Sequence, residues 1–105
     1  MQIQVNTDNF INGDERVIEV AQAAVDSELS YLEDRLTRVE VHLKDQNAEK
    51  KGPESIRCMI EARPRGLDPI SAHDEAGDIP AALKGAAKKL KGRLSAEFSK
   101  LDAHC

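Results

Sequence analysis

The side chains able to do chemistry in this chain are three histidines, two cysteines and an uneven scatter of charge. His42 occupies an outward position of an alternating run, His73 and Asp74 adjoin a turn, and His104 lies in the tail. No serine, histidine and aspartate are arranged as a nucleophile with its base. A phosphate-binding glycine loop and an HExxH pair are also missing. Cys58 and Cys105 fit no metal or redox spacing. They read as a small buried hydrophobe inside a strand and a thiol at the chain end. Asp74, Glu75 and Asp78 make a loose acidic group that suits a cation, but the same residue types favour a turn and a helix cap, and that second reading is adopted. The expectation is a protein that is not an enzyme, with no catalytic residue, no metal ligand and no cofactor.

Charge is the one strong feature. The chain carries a formal net charge of −4, yet residues 79–101 hold Lys84, Lys88, Lys89, Lys91, Arg93 and Lys100 against Glu97 alone. Residues 14–35 are the reverse, with Asp14, Glu15, Glu19, Asp26, Glu28, Glu33 and Asp34 facing only Arg16 and Arg35. Two readings follow. Neighbouring helices of opposite sign attract each other, or one edge of the molecule is a basic stripe for a polyanion. Charge alone does not separate them. No aromatic-interleaved pattern for stacking single-stranded bases is visible.

The elements that carry these charges follow from periodicity. "QIQVN" at 2–6 alternates, with Ile3 and Val5 inward, as a half-buried strand. Asn12 with Glu15 makes a capping box. Ile18, Ala21, Val25, Leu29, Leu32 and Leu36 then recur at steps of three and four, which predicts one long helix over about 14–35. Alternation returns at 38–44, with Val39, Val41 and Leu43 inward, and at 55–63, with Ile56, Cys58, Ile60 and Ala62 inward. The segment 45–54 reads as a polar loop, "PRGLDP" as a turn, "ISAH" at 70–73 as a short fourth strand and "DEAGD" as a second turn. A last helix starts at the cap Asp78, tolerates Pro80 in its first turn, and buries Leu83, Ala86, Ala87, Leu90, Leu94 and Leu101. Gly85 and Gly92 weaken it by roughly 1 kcal/mol each relative to Ala, in exchange for close packing or approach to a ligand.

The order β-α-β-β-β-α predicts an α+β two-layer sandwich: a four-stranded sheet with both helices on one face. At 105 residues it forms a single domain over 1–105, with a short tail at 102–105. No apolar run approaches the roughly 20 residues of a membrane helix, and "MQIQVNTDNF" lacks the features of a signal peptide. A cytoplasmic protein without a membrane partner is expected.

That order, together with several stretches, resembles the ribosome hibernation-promoting factor family, also called sigma-54 modulation proteins. "MQIQVNTDNF" is similar to the family's opening strand, and "LEDRLTRVEVHLK" to its helix end running into the second strand. "ISAHDEAGDIPAALKGAAKKLKGRL" resembles its fourth strand, acidic turn and basic last helix. The chain differs where family helices usually continue basic, at Ala96, Glu97 and Phe98. It differs too at Pro80, where an aromatic is common, and in its acidic first helix. The resemblance implies a fold like double-stranded RNA-binding domains. It implies binding to the small ribosomal subunit through rRNA phosphates, obstruction of the channel for mRNA and tRNA, and action under stress or in stationary phase. Lys88, Lys89 and Arg93, with Lys84, Lys91 and Lys100, are the rRNA-binding residues so implied. A short form, bacterial in type, monomeric off the ribosome and without a DNA partner, is the expectation. A non-ribosomal protein-interaction module on the same fold is the alternative.

Overall fold

The computed structural model describes residues 1–8, 15–45 and 55–103. Its elements are β1 (Gln2–Thr7), α1 (Glu15–Leu29), a 3-10 helix (Ser30–Arg35), β2 (Leu36–Asp45), β3 (Ile56–Pro64), β4 (Ile70–Ala76) and α2 (Ile79–Ala103). The strands form one sheet in the order β1-β2-β3-β4. β1 runs parallel to β2, and the other two pairings are antiparallel. The capping box at Asn12, the polar loop between the second and third strands beyond Asp45, and the tail residues His104 and Cys105 lie outside the described residues.

Register puts the alternating apolar residues on one face. Ile3 pairs with Val39, Val5 with Val41, Val41 with Ile60, Leu43 with Cys58 and Ile60 with Ala72. Both helices lie over this face and pack on each other, so their buried residues and those of the sheet form a single core. α1 contributes Ala21, Val25 and Leu29; α2 contributes Ala82, Leu83, Ala86, Ala87, Leu90, Leu94 and Phe98. The opposite face of the sheet is polar. There Glu40 receives Arg38 at 3.1 Å and Arg63 at 3.5 Å, and Arg63 also reaches Glu61 at 3.3 Å. Arg38 additionally donates to Gln4.

The expected single helix over 14–35 is instead an α-helix that tightens into a 3-10 segment after Leu29. In a 3-10 helix residues three apart eclipse, so Leu32 falls below Leu29 and both stay in the core. The expected turn at "DEAGD" is also shorter than the pattern suggests. Asp74, Glu75 and Ala76 continue β4, paired with Cys58, Arg57 and Ile56 of the longer strand beside them. Aspartate is disfavoured in strands, but the Asp74 carboxylate is accommodated where α2 has no side chain. A Cβ at Gly85 would collide with it.

The buried stripe of α2 ends at Phe98, and Leu101 is 42% exposed rather than buried. A helix of 25 residues runs about 37 Å, whereas the seven-residue β4 spans about 23 Å, so its last turns overhang the sheet. Phe98 turns toward the 3-10 segment, where the Arg35 guanidinium lies 3.9 Å over its ring. Arg35 then pairs with Asp102 at 3.1 Å, tying that segment to the end of α2. The turn at 65–67 is as expected, with Gly66 at φ 77°, a left-handed conformation that glycine adopts without strain.

Candidate nucleic-acid interface

α2 begins as the sequence suggests. The Asp78 carboxylate accepts the backbone N–H of Ala81 at 2.8 Å, satisfying one of the free donors of the first turn. From there the 3.6-residue period sorts the basic residues onto two flanks of one helix. They do not form a single stripe.

Lys84 and Lys91 lie on the flank toward α1. Lys91 pairs with Glu28 at 3.7 Å and stands 5.6 Å from the centre of the Tyr31 ring, whose hydroxyl is 2.7 Å from Ser95 Oγ. Lys84 borders a small cleft between the helices together with Glu28 and Pro80. This flank is therefore partly neutralised from within. Lys100 sits near the helix end, paired with Glu97 at 3.6 Å.

Lys89 and Arg93 lie on the other flank, and Lys88 stands on the outer side between the two, one turn from both Lys84 and Lys91. With His73 and Gly92 they line an open groove of about 550 Å³ between α2 and the edge strand β4. A second depression of about 430 Å³, bordered by Ser71, Arg93 and Glu97, lies beside it. Each cation is held differently. Arg93 donates to the Ser71 backbone carbonyl at 2.9 Å, which anchors its guanidinium at the rim. Lys89 pairs with Asp74 at 3.0 Å. Lys88 has no ion-pair partner among the described residues and is exposed. The hydrogen bond from Lys89, and then that from the backbone N–H of Glu75, hold the Asp74 carboxyl below its usual value of 3.8. Gly92 faces open space, so nothing on that turn keeps a ligand from the helix backbone.

This arrangement is suited to holding an anion and carries no reacting group. Burial, with the Asp74 charge second, pushes the Cys58 thiol up to about 12, so it stays protonated at neutral pH and is no nucleophile. Among the described residues no group of three His, Cys, Asp or Glu side chains comes together as a metal site. No helix among them is long and apolar enough to cross a membrane.

Of the six basic residues singled out in the sequence, Lys88, Lys89 and Arg93 line the groove, Lys84 borders the cleft toward α1, and Lys91 and Lys100 pair with Glu28 and Glu97. The structure adds His73 and the Ser71 carbonyl, which the sequence reading left out. Their signal was the alternation of 70–76, obscured by turn-forming residue types.

The four-stranded α+β fold has counterparts among known proteins. The chain belongs to the Sigma 54 modulation protein / S30EA ribosomal protein family, whose family model matches residues 3–102. Among solved structures it is similar to a ribosomal subunit interface protein from Coxiella burnetii, with a TM-score of 0.78 and 14% identity over 94% of this chain and 99% of that one. It is also similar to the Protein Y N-terminal domain of Thermus thermophilus, with a TM-score of 0.69 and 18% identity over 89% of this chain and 94% of that one. At these identities the likeness is one of fold. A comparison with curated protein sequences finds no match.

Proposed function

We propose that this protein is a ribosome-associated translation inhibitor. It binds the small ribosomal subunit through rRNA phosphates and obstructs the channel used by mRNA and tRNA, under stress or in stationary phase. The observation that carries this reading is the family match across residues 3–102, which spans the whole fold. The name of the Coxiella burnetii structure, a ribosomal subunit interface protein, supports it. The groove flank of α2 supports it physically. Lys88, Lys89 and Arg93 present positive charge to solvent along one edge, and phosphate contacts of this kind supply affinity without reading sequence. Lys84, Lys91 and Lys100 are secondary contacts in this reading, since they do not line the groove. The protein works in the cytoplasm, as a monomer when off the ribosome, with no DNA or membrane partner and no cofactor.

A second reading has its own observation. The outer side of α1 exposes Glu15, Glu19 and Asp26, a ridge that repels phosphate. A relative that had left the ribosome for a basic protein partner would carry such a surface. Cell-free translation separates the two. Purified protein added to a bacterial extract is expected to suppress initiation, and to prevent tRNA from binding isolated small subunits. Undiminished translation and tRNA binding with the protein in excess favour the protein-interaction module.

A further inference from the structure

Tyr31 is the single tyrosine of a chain that has no tryptophan. It stands in the 3-10 segment, beside α2, and is 59% exposed, whereas Phe98, the other aromatic among the described residues, is buried. The ring is held in place despite its exposure. Its hydroxyl lies 2.7 Å from Ser95 Oγ, and the Lys91 ammonium sits over the ring, 5.6 Å from its centre. A cation therefore occupies one face and the hydroxyl end is fixed on α2, which leaves the other face to solvent. Ser95 also ends a row of lysines. Lys84, Lys88 and Lys91 precede it at steps of four, three and four, so these residues share one side of α2. All three lysines are exposed. Lys84 and Lys88 have no ion-pair partner among the described residues, and Lys91 meets Glu28 at 3.7 Å. The row is a basic ridge that leads to an aromatic ring. Glu33 and Asp34, both exposed, follow Tyr31 in the same segment. Their charge disfavours a phosphate beside the ring, but an uncharged base meets no such penalty.

We propose that Tyr31 is a base-stacking residue: an unpaired nucleotide of a bound RNA lays its base on the ring, and the phosphates next to it run along Lys91, Lys88 and Lys84. This rests on the reading that the protein binds RNA phosphates, and adds to it a contact that a bare polyanion cannot make. Every base has a π-face, so such a contact accepts any base and gives affinity without reading sequence. A ring already fixed by Ser95 and Lys91 loses little freedom when the base arrives. Stacking of one base is worth roughly 5- to 150-fold in affinity. It carries no charge, so it leaves the salt dependence alone, whereas each lysine that meets a phosphate of a single strand adds about 0.7 to the slope of log affinity against log salt.

The test uses the full chain and three probes: a short unstructured RNA strand, a strand of equal length without bases, and purified small ribosomal subunits. The wild type is expected to bind the strand with bases roughly 5- to 150-fold more tightly than the one without. Tyr31→Ala should bind both alike, at an unchanged salt slope, and Tyr31→Phe should keep the preference. Lys88→Ala should also keep the preference, with a slope shallower by about 0.7. Because Tyr31 is the only strong emitter in the chain, its fluorescence reports the contact directly, and should be quenched by the strand with bases and not by the other. A wild type that binds both strands equally overturns the proposal, as does a preference that survives Tyr31→Ala; salt-sensitive binding in either case leaves the phosphate reading standing. A wild type that binds neither strand also overturns it, and co-sedimentation with the subunits then decides whether the ribosome reading falls too. A Tyr31-dependent preference without subunit binding upholds the stacking site and removes the ribosome reading.

Discussion

Two glycines one turn-pair apart on the same helix have opposite meanings. Gly92 faces open space, so Gly92→Ala should follow intrinsic helix propensity and stabilise the protein by about 1 kcal/mol. Gly85 backs onto the Asp74 carboxylate, and a methyl group there forces that side chain away from Lys89. Gly85→Ala should therefore lower stability in the wild type, and lower it much less once Asp74 is replaced by Ala, which removes the carboxylate and leaves only its Cβ close by. Urea unfolding of the four proteins checks that coupling. Asp74 also sets a pH dependence. Its folded value is depressed, so its contribution is complete above the usual aspartate value of 3.8 and is lost as pH falls through the lower folded value. Acid titration of Asp74→Asn should lack that component. Cys58 is the converse, an acid kept neutral by burial at about 12. In a Cys105→Ser background the folded protein should not react with a thiol reagent at neutral pH, and should react fully once unfolded. The burial of Cys58 was readable from the alternation of its strand, but the partner of Gly85 was not. The Gly85–Asp74 contact joins two elements, and local spacing says nothing about what faces a glycine.

The elements themselves were largely readable, because alternation with a period of two and stripes at three and four residues report directly on which face is covered. β2 and β3 emerge within two residues of the expected bounds, and the cap at Asp78 forms as its residue type suggests. Pattern failed where a neighbour overruled local preference. β4 runs on through Asp74 and Glu75 because β3 continues to offer it partners. The end of α2 buries Phe98 and exposes Leu101 because the 3-10 segment, and not the sheet, is what lies beneath it. Two substitutions test this assignment of the helix faces. Leu90→Ala, fully buried between the helix and the sheet, should cost about 2–5 kcal/mol. Leu101→Ala, on the overhanging turn, should stay within about 0.5 kcal/mol of the wild type. Equal losses in denaturant unfolding would mean that the last turns of α2 pack differently.

Taken whole, the molecule separates its charge, and the question left by the sequence was whether the basic helix merely balances the acidic one. Among the described residues one ion pair, Lys91 with Glu28, joins α1 to α2. Internal pairing therefore engages Lys91 with Glu28 and Lys89 with Asp74, and leaves Lys88 and Arg93 without an acidic partner among the described residues beside β4. The sequence supplied the right helix and the right residue types, but not this partition, which depends on where α1 comes to rest. The most direct measurement is co-sedimentation with purified small ribosomal subunits over a range of salt, for the wild type and for Lys88, Lys89 and Arg93 changed together to Ala. Phosphate contacts predict that the wild type sediments at low salt, and that the triple variant binds more weakly with a slope shallower by about two to three units. Its unfolding free energy should fall only slightly, because exposed ion pairs contribute about 0–1 kcal/mol each. A wild type that stays in the supernatant at low salt, or a triple variant that loses stability while sedimenting like the wild type, would contradict the account.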